Sequence, residues 1–115
     1  MGKKSLVLVF LAVILLYPIS ITAPQEPPDK LFLEKCAPCH GPQGKGDGPA
    51  ATALNPKPRD FTSGQWKFGG SKEQIIKTIT GGVPGTAMPA WKASLSPEQI
   101  GQLAGYILTL SQKAN

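Results

Sequence analysis

The chain has 115 residues, with 12 basic against 7 acidic side chains, 13 glycines, 12 prolines, two cysteines and one histidine. That length suits one small domain. The lysines are scattered, which excludes a nucleic-acid-binding stripe, and two cysteines permit one disulfide at most. The turn-forming residues lie between clear helical patterns, so the composition is not that of a disordered chain. A domain this small buries its surface inefficiently and needs a staple, which a large apolar cofactor would provide.

In chain order, Met1-Gly2-Lys3-Lys4 is a short basic head, followed by the apolar run LVLVFLAVILLY from Leu6 to Tyr17. Pro18 to Ala23 then lead to a processing site after Ala23, so residues 1–23 read as an export signal peptide. The alternative is a retained N-terminal membrane anchor, because the stretch through Ala23 approaches bilayer-spanning length. Pro18, Ser20 and Thr22 weigh against the anchor. Loss of this segment removes Lys3 and Lys4, leaving ten basic against seven acidic residues and a net charge of +3. Lysines on such a mildly basic surface either steer an acidic partner or simply solvate the domain.

Residues 24–28, PQEPP, form a stiff Pro-rich tether, and residues 29–115 form the folded domain. DKLFLEKCAPC from Asp29 predicts a first helix with Leu31, Phe32 and Lys35 on or beside one face. Residues 41–70 are dominated by Gly and Pro, with room for one helical turn at Ala50–Leu54. So long an irregular stretch fits a compact domain if it wraps around something rigid. Ser71-Lys72-Glu73-Gln74 is a capping box that opens a second helix carrying Ile75, Ile76 and Ile79, and Gly81-Gly82 stops it. The segment GGVPGTAMPAW is a loop. Ser96-Pro97-Glu98-Gln99 starts a last helix, whose Ile100, Leu103, Ala104 and Ile107 make one apolar stripe. No useful alternating pattern of a strand is present, so the fold class is all-α with long loops.

Both thiols and the imidazole are collected in Cys36-Ala37-Pro38-Cys39-His40. A structural zinc site needs four protein ligands, and no second pair is available. A thioredoxin-like dithiol needs a βαβ setting, which is missing here. Covalent haem attachment fits better: in C-x-x-C-H the two thiols add to one porphyrin edge and the next residue offers its imidazole to the iron. A sixth ligand follows by elimination. His40 is the sole histidine, and Met1 belongs to the leader, which leaves Met88. A lone methionine is more often core filler. Met88 lies in a Gly/Pro-rich loop between helices, where a ligand held by rigid backbone is the better reading.

These residues together resemble the class I c-type cytochromes, specifically the small bacterial monohaem kind. The likeness rests on Leu31-Phe32, Cys36 to Gly41, Gly48-Pro49-Ala50, Gly85 to Trp91, and Tyr106-Ile107 with Leu110, and it covers nearly all of residues 29–112. It implies a class I cytochrome c fold of three main helices, short turns and long loops wrapped around one covalently attached haem c. It implies Cys36 and Cys39 as attachment points, His40 as proximal ligand and Met88 as distal ligand. It further implies that the Pro49 carbonyl accepts a hydrogen bond from the far ring nitrogen of His40. Arg59 and Trp66 become candidate donors to the haem propionates, against a solvated arginine and a core tryptophan; Trp91 is ambiguous in the same way. Phe32, Leu54, Phe61, Phe68, Ile79, Val83, Leu95 and Leu103 are expected to line the pocket. The pattern departs in one place. Many members carry a glycine eight residues before the first cysteine, where the terminal helices cross; Pro28 stands there, with Gly101 and Gly105 as substitutes.

The expected function is single-electron transfer without catalysis, by an exported, periplasmic protein, soluble or anchored. Donor and acceptor redox proteins would dock at the exposed haem edge, with Lys45, Lys67, Lys72 and Lys92 as candidate rim charges. One alternative is a cytochrome subunit held permanently in a respiratory complex. Another is a haem sensor or peroxidase with a labile Met88, for which the sequence offers no distal acid or base.

Overall fold

The computed structural model describes residues 18–113, so the predicted signal or anchor lies outside the described residues apart from its end, 18–23. Four α-helices occur among them: α1 (Pro28–Lys35), α2 (Ala37–His40), α3 (Lys72–Gly81) and α4 (Pro97–Lys113). Single 3₁₀ turns occupy Ala51–Ala53, Phe61–Ser63 and Trp91–Ala93, and no strand is present among the described residues. The predicted all-α class is the observed one.

Local chemistry explains each helix end. Proline at the first position and Asp29 in the first turn open α1, and Lys35 closes its last turn. The first helix, expected to end where it meets Pro38 and the thiol cluster, stops at Lys35. Pro38 lacks an N–H and its ring would collide with the carbonyl four residues back, so the chain kinks at Cys36 (φ −110°, ψ −39°) and restarts as α2. The expected capping box of α3 is formed: Ser71 Oγ accepts from Gln74 N at 3.2 Å and Gln74 Oε1 accepts from Ser71 N at 3.1 Å. Ser96 and Gln99 repeat it at α4, at 3.1 and 2.9 Å. Each such cap contributes about 1 kcal/mol.

The core gathers on α4, which packs against α1, α3 and the turn at Phe61–Ser63. Ile100, Leu103, Ala104 and Ile107 are all buried, as their spacing predicts, and α1 contributes Leu31 and Phe32. Phe32 lies tilted on Tyr106, ring centroids 5.2 Å apart. Burial of Phe32 and Leu103 stabilises the fold by about 1.5–3 kcal/mol each. Gly101 and Gly105 do not supply a close helix approach. A Cβ on Gly101 would meet nothing within 4 Å, and one on Gly105 only the end of Lys72 at 3.9 Å. The α1–α4 contact is made by side chains instead.

The loop after α2 returns along that helix. Gly46 N–H reaches His40 O at 2.7 Å, Gly48 N–H reaches Cys39 O at 3.1 Å and Ala50 N–H reaches Pro38 O at 3.0 Å. Phe61 N–H then bonds Gly44 O at 2.7 Å, carrying residues 59–61 back over α2. The tether is tied down as well: Gln25 donates to Glu98 at 2.8 Å and accepts from Gln102 at 3.1 Å, one turn further along α4.

Candidate haem site

A cavity of about 220 Å³ is walled by the α1–α2 junction, the loops, α3 and α4. Cys36, Cys39, His40 and Met88 all line it, brought together from positions up to 52 residues apart in sequence (36 to 88). The single turn of α2 puts both thiols on the same wall, and both are unpaired and half-buried. Burial, with the neighbouring Cys39 charge as a smaller cause, pushes the Cys36 thiol up to about 11. A redox dithiol works through a depressed attacking thiol, and the shift at Cys36 runs the other way. Among the described residues no group of three or more His, Cys, Asp or Glu side chains is arranged to hold a metal ion.

His40 presents its Nδ1 to the carbonyl of Arg59 at 3.2 Å. A carbonyl only accepts, so Nδ1 carries the proton and Nε2 is left free as a ligand atom. Burial holds His40 below its usual pKa, partly opposed by the Arg59 carbonyl. The expected acceptor was Pro49, and here the structure corrects the sequence reading. The Phe61–Gly44 bond folds residues 59–61 over α2, stacking Phe61 on the imidazole at 4.5 Å and 18° and bringing Arg59 O to the ring. Pro49 stands exposed beside Gly48 and outside the cavity lining.

Arg59 and Trp66 both line the cavity, Arg59 exposed and Trp66 half-buried and stacked on Phe61 at 5.7 Å. Of the expected apolar lining, Leu54, Phe61, Phe68, Ile79, Val83 and Leu103 are in place. Phe32 and Leu95 are not; both are buried in the helix core. Ile75, Trp91 and Ile107 also line the walls, and so do Thr86 and Pro89 from the Met88 loop. Ile75 and Ile107 were legible as i, i+4 partners of Ile79 and Leu103. Among the candidate rim lysines only Lys67 lines the cavity; Lys57, not singled out by the sequence, joins it, and Lys45, Lys72 and Lys92 do not. No acidic side chain is among the lining residues.

Two thiols able to form thioethers, an imidazole with a free Nε2 and a thioether sulfur, set in apolar walls, are a donor set that fits haem c. Helices, loops and donors together are those of a c-type cytochrome of class I fold, a haem-binding electron-transport protein. The chain belongs to the family described as cytochrome c oxidase, cbb3-type, subunit III, which matches residues 23–107. It is 41% identical over 81 residues to the cbb3-type cytochrome c oxidase subunit FixP of Azorhizobium caulinodans, covering 70% of this chain and 25% of that protein. It is 39% identical over 106 residues to cytochrome c55X of Stutzerimonas stutzeri, covering 85% and 82%. The solved KustC0563 c-type cytochrome superposes with a TM-score of 0.59 at 30% identity, over 74% of this chain and 98% of that one. The chain thus spans about a quarter of the length of FixP. Among the described residues no helix is long and apolar enough to cross a membrane.

Proposed function

We propose that this chain is a monohaem cytochrome that carries single electrons between exported or membrane-bound redox proteins by outer-sphere transfer. The observation that carries the reading is the convergence of Cys36, Cys39, His40 and Met88 on one apolar cavity. Haem c, when bound, supplies a one-electron ferric/ferrous couple. Cys36 and Cys39 would hold the group by thioether bonds, and a single Cys-x-x-Cys-His would account for one haem. His40 Nε2 and the Met88 sulfur would hold the iron, and with both bound no position would remain for a substrate, which supports a carrier and not an enzyme. The Arg59 carbonyl fixes the tautomer and orientation of His40. Leu103, Ile107 and Ile79 keep water out, and apolar surroundings with a thioether ligand favour the reduced state. Arg59 and Trp66, which both line the cavity, would be the donors to the haem propionates.

The domain, residues 29–115, is exported to the periplasm by residues 1–23 as a signal or a retained anchor. The cbb3-type family match supports a second reading, a subunit docked in a respiratory complex.

In the purified protein, the oxidised visible spectrum is expected to show the weak near-infrared band of sulfur-to-iron ligation, lost in Met88→Ala. Denatured protein keeps its colour in acidified organic solvent and weighs one haem more than the processed polypeptide. Extraction of the colour by that solvent would overturn the reading. Recovery in soluble or membrane fractions separates the free carrier from the complex subunit.

A further inference from the structure

We propose that Thr86, working with the bare Cα of Gly82, is the positioning residue that fixes Met88, a role that rests on the reading of Met88 as axial ligand. A methionine has three rotatable bonds and a soft, weakly held sulfur. Its loop starts with further freedom, because Gly82 (φ +67°) and Gly85 (φ +76°) both occupy the left-handed region. Something must restrict this segment if the sulfur is to compete with solvent for the iron.

The Thr86 hydroxyl serves as that restriction in two directions at once. It donates to Val83 O at 2.8 Å and accepts from the Met88 N–H at 3.2 Å. The backbone adds Thr86 N–H to Val83 O at 3.2 Å and Val83 N–H to Met88 O at 3.1 Å. Four hydrogen bonds thus close the loop from Val83 to Met88, and two of them depend on one side-chain oxygen. The closed loop is then seated on the end of α3. A Cβ on Gly82 would lie 2.6 Å from Pro89 C and 2.8 Å from Met88 O, so only glycine lets the backbone after Met88 approach so closely. α3 itself lines the cavity through Ile75 and Ile79, so the ligand arm and the cavity wall share one rigid support.

A hydroxyl that merely stabilised a turn would lower overall stability and leave the native iron ligation unchanged. The test therefore compares Thr86→Val, which keeps the shape and loses the hydroxyl, with Thr86→Ser, which restores it. Two readouts are used on the haem-loaded protein: intensity of the sulfur-to-iron band, and affinity of the oxidised protein for added imidazole, which competes with Met88. Thr86→Val loses both hydroxyl bonds and is expected to weaken the band and bind imidazole more tightly by about fivefold for each net neutral hydrogen bond lost, roughly five- to thirtyfold in all. Thr86→Ser is expected to return both to within about twofold of wild type on the same reasoning. Hydrogen exchange at the Met88 amide gives an independent measurement on the unaltered protein, where slow exchange is expected. Unchanged imidazole affinity in Thr86→Val, or fast Met88 exchange in wild type, overturns the positioning role while the band of wild type still supports Met88 ligation. Absence of the band in wild type overturns the ligand reading and this inference with it.

Discussion

His40 shows how much one residue's role depends on its neighbours. The sequence identifies it as the sole imidazole beside two thiols, and the structure adds that the Arg59 carbonyl holds its Nδ1 and that Phe61 covers one ring face. Gly48 is the complementary case, a residue whose value lies in having no side chain. A Cβ there would overlap the carbonyl oxygens of Ala37 and Pro38, where the returning loop presses on α2. Gly48→Ala is therefore expected to cost about 1–3 kcal/mol through overpacking against backbone that cannot give way. Chemical denaturation of the haem-loaded protein measures this, and a midpoint equal to wild type would refute the contact. The resemblance marks Gly48 with Pro49 and Ala50, but the sequence gives no physical reason for a glycine there. What sets it apart is a contact with residues about ten positions earlier.

Helix starts were the most legible elements, because a capping box is written within four residues. Ser71 with Gln74 and Ser96 with Gln99 form as read. The break between α1 and α2 is equally local in origin, and it falls where the sequence puts the end of the first helix, at Pro38 and the thiol cluster. α4 behaves differently. Gly101 lies inside it with open space where a Cβ would go. Gly101→Ala is expected to stabilise the protein by about 0.5–1 kcal/mol, the helix cost of glycine relative to alanine. A raised denaturation midpoint with unchanged slope checks it; a lowered midpoint would mean that a neighbour does approach this position. The resemblance to a family suggested a close approach at Gly101 and Gly105, and only the packing shows that side chains such as Phe32 and Tyr106 make the α1–α4 contact.

For the molecule as a whole, the cavity carries cationic side chains, Lys57, Arg59 and Lys67, and no acidic ones. An acidic redox partner approaching there gains in encounter rate, and the gain is screened by salt. Raising ionic strength from about 10 mM to about 500 mM, across which the Debye length falls to a few ångströms, is expected to slow the bimolecular electron-transfer rate several-fold. Lys67→Glu is expected to lower the low-salt rate more than Lys92→Glu, as stopped-flow mixing with the partner would show; equal effects would move the docking surface elsewhere. The sequence by itself determined the helical class and the helix starts, because each is written in contiguous motifs or in helical periodicity over one or two turns. It also singled out Cys36, Cys39 and His40 by motif and Met88 by elimination, the four residues that meet at one cavity. Tertiary structure decided that Arg59 and not Pro49 holds His40, that Lys57 lines the cavity, and that Gln25 ties the tether to Glu98 and Gln102. These contacts join residues 19 to 77 positions apart. No local propensity encodes such distances, and only the path of the loops around a common core brings those residues together.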